Sequence, residues 1–143
     1  NLTNQTHLLR GLGAEKDPEF RESSLVGFDT DPTRRISWVR HAESRYDAPL
    51  QMKYENLDPH GAYKVRVVYA GDIFTTQVQL VADEQYQIHP LIEKPKPLLP
   101  MDFPVPVEAT RDGTLTLSWT QEPGRGGNGR GCQVAEVWLI KEK

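Results

Sequence analysis

Three stretches of this sequence alternate apolar and polar side chains residue by residue, and that period of two limits the fold more than any other feature. Tyr63, Val65, Val67 and Tyr69 alternate with Lys64, Arg66 and Val68; Val78, Leu80 and Ala82 alternate with Gln77 and Gln79; Leu115, Leu117 and Trp119 alternate with Thr114, Thr116, Ser118 and Thr120. Successive side chains of an extended chain point to opposite faces, so each stretch reads as a half-buried strand. Further strand candidates lie at 25–28, 35–40, 50–54, 86–89, 103–109 and 133–141. Turn signals separate them: Asp-Pro-His-Gly at 58–61, Ala-Gly-Asp at 70–72, Arg-Asp-Gly at 111–113 and a glycine-rich run at 124–131. No amphipathic helix of ordinary length is evident. The pattern predicts an all-β fold, two antiparallel sheets packed face to face in a sandwich of jelly-roll or related type.

The alternation also sets the domain organisation. Residues 1–20 read as an irregular N-terminal segment with two glycines and Pro18, and 21–143 as a single β-sandwich domain. Prolines at 90, 95, 97, 100, 104 and 106 interrupt the rhythm. Proline lacks the N–H that a central strand donates, so this stretch is expected to run extended along the surface and cross from one sheet to the other. As a linker it would leave only residues 107–143, too few for a second core. The opening at Asn1, with no initiator Met or leader, is what a module cut from a longer protein would show. Asn-x-Thr triplets at Asn1 and Asn4 are potential glycosylation acceptors.

The 143 residues carry a net charge of −3, which argues against nucleic acid as a partner, since phosphate binding needs an excess of Lys and Arg. No apolar run approaches the ~20 residues of a membrane-spanning helix; the longest, 134–140, is broken by Glu136. A single cysteine, Cys132, excludes an internal disulfide and a multi-thiolate zinc site, and reads as a small residue at the start of a strand.

Two segments concentrate binding chemistry. Trp38, Arg40, His41, Arg45, Tyr46 and Asp47 cluster just before Pro49, where the polar residues and the proline predict a loop between residues 40 and 50. Aromatic rings stack on the apolar faces of sugars, while Arg, His and Asp supply hydrogen bonds to hydroxyls. Trp38 and Tyr46 also suit a core or anchoring role, and core places are expected for Trp119 and Trp138. The second segment, 124–131, offers Arg125, Asn128 and Arg130 among glycines. It runs into a strand, not into a helix as a phosphate-binding loop does, and so reads either as a hairpin connection or as a ligand-contacting loop.

Catalytic motifs are missing. His7, His41, His60 and His89 have no zinc-site spacing, no Gly-x-Ser-x-Gly elbow occurs, and no acid–base pair stands out. Glu136, in the middle of an apolar strand, pairs with an arginine, faces solvent, or ligates an ion. In the last case Asp29 and Asp31 are the turn residues to complete a structural calcium site.

The run from Tyr54 to Asp72, with Leu57, Pro59, Tyr63, Val65, Val67 and Tyr69 in place, resembles a passage of galactose-binding-like and malectin-like β-sandwiches. The segment Val134-Ala135-Glu136-Val137-Trp138-Leu139-Ile140 resembles their closing strand. The resemblance covers about residues 50–82 and 113–141. It implies a secreted, cell-surface or periplasmic carbohydrate-binding module attached to the catalytic domain of a polysaccharide-degrading enzyme. The expected partner is a polysaccharide, an acidic one if the arginines contact it, with no nucleic acid and no membrane. A structural or interaction domain packed on a catalytic neighbour is the second reading. A small polysaccharide lyase or hydrolase recruiting His41, Arg45 and Tyr46 is the third.

Overall fold

A computed structural model describes residues 20–21, 42–44, 47, 49–70, 76–125 and 131–142. The strand candidates at 25–28 and 35–40 and the Asn-x-Thr triplets lie outside these residues. Nine strands are described, in chain order β1 (Phe20–Arg21), β2 (Ala42–Glu43), β3 (Leu50–Tyr54), β4 (Tyr63–Tyr69), β5 (Val78–Ala82), β6 (Tyr86–Ile92), β7 (Met101–Pro104), β8 (Leu115–Gln121) and β9 (Gln133–Lys141). A single helical turn, α1 (Val107–Thr110), precedes β8.

The strands form two antiparallel sheets. One has five strands in the order β1-β3-β8-β5-β6, the other four in the order β2-β9-β4-β7. Both sheets contribute to one core: Leu50, Met52, Leu80, Leu115, Leu117 and Trp119 from the first meet Val65, Val67, Tyr69, Val134, Val137 and Leu139 from the second. The alternation seen in the sequence is the burial pattern itself, with every odd residue of β4 buried and every even one half-exposed. The chain is an all-β sandwich.

Three departures from simple alternation have identifiable causes. In β9 the pairing with β4 slips between Val68, opposite Glu136, and Tyr69, opposite Val134, so Ala135 is the extra residue of a β-bulge. The bulge lets Val134, Val137 and Leu139 all face the core, and it turns Glu136, Trp138 and Ile140 outward. The expected core place for Trp138 is therefore wrong; its ring is half-buried on the outer face beside Arg66. Second, the strand expected over 103–109 ends at Pro104. Pro106 then starts α1, and the Ala109 N–H donates to the Pro106 carbonyl (3.0 Å). Third, β6 runs past His89 through Pro90, which β6 tolerates because it is the edge of its sheet.

The proline-rich stretch carries the chain from β6, at one edge of the five-stranded sheet, to β7, at one edge of the four-stranded sheet. It is the expected crossing. A polar chain bridges the two sheets beneath it. The Trp119 Nε1–H donates to the Tyr69 hydroxyl (3.1 Å), which lies 2.5 Å from His89 Nε2. His89 Nδ1 lies 2.7 Å from the Pro90 carbonyl, which can only accept. Nδ1 therefore carries the proton, Nε2 is bare, and the Tyr69 O–H donates to it. The imidazole packs on Phe103 of β7 with ring centroids 4.5 Å apart.

Candidate functional site

The two segments rich in binding chemistry meet at one end of the sandwich. On the first, β2 pairs with the start of β9, Ala42 opposite Val134 and Glu43 opposite Gln133. The stretch expected to be all loop thus contains a short strand, recruited by the free edge of β9. Ser44 fastens it: its N–H donates to the Cys132 carbonyl (3.0 Å) and its hydroxyl accepts the Cys132 N–H (2.9 Å). Gly131 is required there, because a Cβ would come within 2.4 Å of Ser44 Oγ and 2.6 Å of its carbonyl oxygen. Gly131→Ala is expected to cost about 1–3 kcal/mol through overpacking against backbone, measured as a lower urea midpoint with an unchanged slope.

On the second segment, β8 ends at Gln121 and the chain turns through Glu122, Pro123 and Gly124. Glu122 Oε1 accepts the Gln77 N–H (2.8 Å), and Gly124 takes a φ of +85°, a conformation that favours glycine. The Gly124 N–H then donates to Asp47 Oδ2 (2.8 Å). Asp47 therefore joins the segment preceding β3 to the glycine-rich segment following β8. Arg125, exposed, follows directly, its N–H donating to the Glu122 carbonyl (3.2 Å). Trp38, Arg40, His41, Arg45, Tyr46, Asn128 and Arg130 lie outside the described residues.

Beneath this end sits a group that the sequence did not single out. Lys94, 7% exposed, donates from Nζ to the Ala70 carbonyl (2.6 Å) and to Gln133 Oε1 (2.5 Å). A buried ammonium needs such partners, and here they tie the crossing to the end of β4 and the start of β9. The adjoining space, bordered by Gln77, Gln121, Cys132 and Gln133, measures only about 10 Å³. That is about one water, not a ligand. Cys132 is 3% exposed and belongs to the core, as a small residue opening a strand should.

For the expected calcium site, Asp29 and Asp31 lie outside the described residues. Glu136 is on the outer face of the four-stranded sheet, its Oε2 3.5 Å from Trp138 Nε1. Among the described residues no three His, Cys, Asp or Glu side chains gather into a group that could hold a metal ion. Nothing described beside Glu136 completes a metal site.

The fold and this loop end define a class, an all-β sandwich presenting two linked polar segments at one end. Compared with protein-family models, curated proteins and solved structures, the chain finds no match.

Proposed function

We propose that this chain is a non-catalytic carbohydrate-binding module, a jelly-roll-related sandwich of secreted type that takes a polysaccharide at the loop end and targets an attached enzyme to it. The observation that supports this most is the Asp47–Gly124 hydrogen bond, which joins the segment before β3 to the one after β8 at one end of the sandwich; in the sequence these segments are rich in aromatic, arginine and amide residues. Loops on a rigid scaffold are where binding residues concentrate. Arg40, Arg45, Arg125 and Arg130 in those segments favour an acidic glycan, whose carboxylates a guanidinium fork matches.

Affinity electrophoresis in gels containing neutral or uronate-bearing polysaccharides tests it. Retardation is expected in the uronate gels, reduced about 3–10-fold in apparent affinity by Asp47→Ala, which frees Gly124, and by Arg125→Ala. No retardation in any gel would sink the reading. It would favour instead an interaction domain packed on a catalytic neighbour. Leu91 (37% exposed) at the end of β6, Leu99 (55%) on the crossing and Val107 (49%) in α1 give that second reading its own support.

A further inference from the structure

The opposite end of the sandwich holds a polar cleft of about 450 Å³, lined by Asp83, Gln85, Tyr86, Glu108, Arg111 and Asp112. Strand register fixes its place. β5 starts with Val78 opposite Gln121 and ends with Ala82 opposite Leu117, so the β5–β6 turn lies beside the start of β8. The glycine-rich segment follows the other end of β8. One wall is the β5–β6 turn; the other is α1 with the turn leading into β8.

Two of the six residues build the walls. The Asp83 N–H donates to the Thr116 carbonyl and Asp83 Oδ1 accepts the Thr116 N–H, both at 2.8 Å, which pins a turn whose Asp83 and Glu84 have φ of 52° and 57°. Asp112 Oδ1 accepts the N–H (3.0 Å) and hydroxyl (3.1 Å) of Thr114. The other four keep their side-chain polar groups unengaged, although the Tyr86 ring also packs against the core. Among the described residues, the side chains of Gln85, Tyr86, Glu108 and Arg111 make no hydrogen bond or ion pair.

We propose that this cleft is a second saccharide site, taking a neutral sugar. A sugar hydroxyl donates and accepts at once, and the four unused groups offer both: Arg111 donates, Glu108 accepts, Gln85 and Tyr86 do either. The half-buried Tyr86 ring adds an apolar flank for the C–H face of a pyranose. The volume lies within the ~300–1,000 Å³ usual for small-ligand clefts. Three carboxylates against one guanidinium disfavour a uronate or a phosphate. Burial above all holds the Asp83 carboxyl above its ordinary range, against the Thr116 N–H, which lowers it, and with a smaller upward push from Asp112. No three of these acids form a group able to hold a metal ion. The loop end and this cleft thus differ in the charge they select, and neither site depends on the other.

Amide chemical-shift titration of the chain with glucose, galactose, mannose and xylose, with glucuronate as the anionic control, tests the cleft. At least one neutral sugar is expected to shift residues 83–86 and 108–112 saturably, and glucuronate is not. Glu108→Gln and Arg111→Ala, both exposed and unpartnered, should each weaken that binding about 3–10-fold without changing thermal stability. The second site is overturned if no neutral sugar shifts these residues, if glucuronate shifts them equally, or if both variants bind like the parent. Shifts confined to 44–50 and 121–133 would overturn it while sparing the loop-end reading; shifts confined to the cleft would do the reverse.

Discussion

Replacing Tyr69 by phenylalanine is expected to destabilise the sandwich by about 2–6 kcal/mol, although it removes a single oxygen. The hydroxyl is the middle of a buried chain, accepting from Trp119 Nε1 and donating to His89 Nε2. Trp119 is 0% exposed, Tyr69 1% and His89 3%, so water cannot replace the lost partner. Each buried polar group left unsatisfied costs about 1–3 kcal/mol, and Tyr69→Phe leaves two. The residues belong to three strands, β8, β4 and β6, in two sheets, so the loss falls on the contact between the sheets and not on one hairpin. Trp119→Phe, which removes the donor but leaves the Tyr69–His89 bond, should cost less through its polar part. In a double-mutant cycle the two changes should fall well short of additivity, because both remove the same Trp119–Tyr69 bond. Urea unfolding of the four proteins measures this; full additivity would mean that the bond contributes little.

The same chain shows what the sequence could and could not reveal. Alternation placed Tyr69 and Trp119 correctly, because a period of two needs only local information. It placed the edges of β3, β4, β5 and β9 as well, where turn residues mark the ends. It could not place His89. An edge strand containing Pro90 reads as solvent-facing, and the burial of His89 comes from Phe103 and Tyr69 on the opposite sheet. Trp138 departs from its expected core place for the converse reason. Simple alternation from Val134 fails at a bulge, and a bulge is fixed by pairing with β4, not by the residues of β9 alone.

The binding residues are legible only as types. Arginines and aromatics around 40–47 and 124–131 suggest sugar chemistry, but that these segments lie together follows from Asp47 reaching Gly124 across 77 positions of sequence. The far cleft left no trace in the sequence at all. Asp83, Arg111 and Asp112 sit in ordinary turns, where such residues usually serve the backbone, as Asp83 and Asp112 do. Only the packing of α1 beside the β5–β6 turn makes a cleft of them. Lys94 gave no signal either, since a lysine among surface prolines looks solvated until Gln133 and Ala70 are seen around it.

Stability should fall as the solution is acidified through the range in which histidine titrates, and His89 should be the cause. Neutral His89 fits its surroundings: Nδ1–H donates to the Pro90 carbonyl and bare Nε2 accepts from Tyr69. Protonation would set an N–H against the Tyr69 O–H and bury a charge among Phe103, Tyr69 and Trp119 with no carboxylate in contact among the described residues. Burial accordingly pulls the pKa of His89 below its ordinary value of 6.5. The unfolded chain then binds the proton more readily than the folded one. The contribution of neutral His89 is fully present above the unfolded pKa and is lost as pH falls below it, by up to about 1.4 kcal/mol per pH unit until the folded pKa is reached. Asp58 and Asp102, whose pairing with Lys141 and with Arg66 and Lys64 lowers their pKa values, act only further down, near and below the carboxylate range. They are exposed pairs of small effect. His89→Gln retains a donor and an acceptor without a titratable ring. It should be less stable than the parent at neutral pH and should lose the difference as the pH is lowered from 7 to 5. Urea midpoints of both proteins across that range measure the effect; parallel curves would place the acid sensitivity elsewhere than His89.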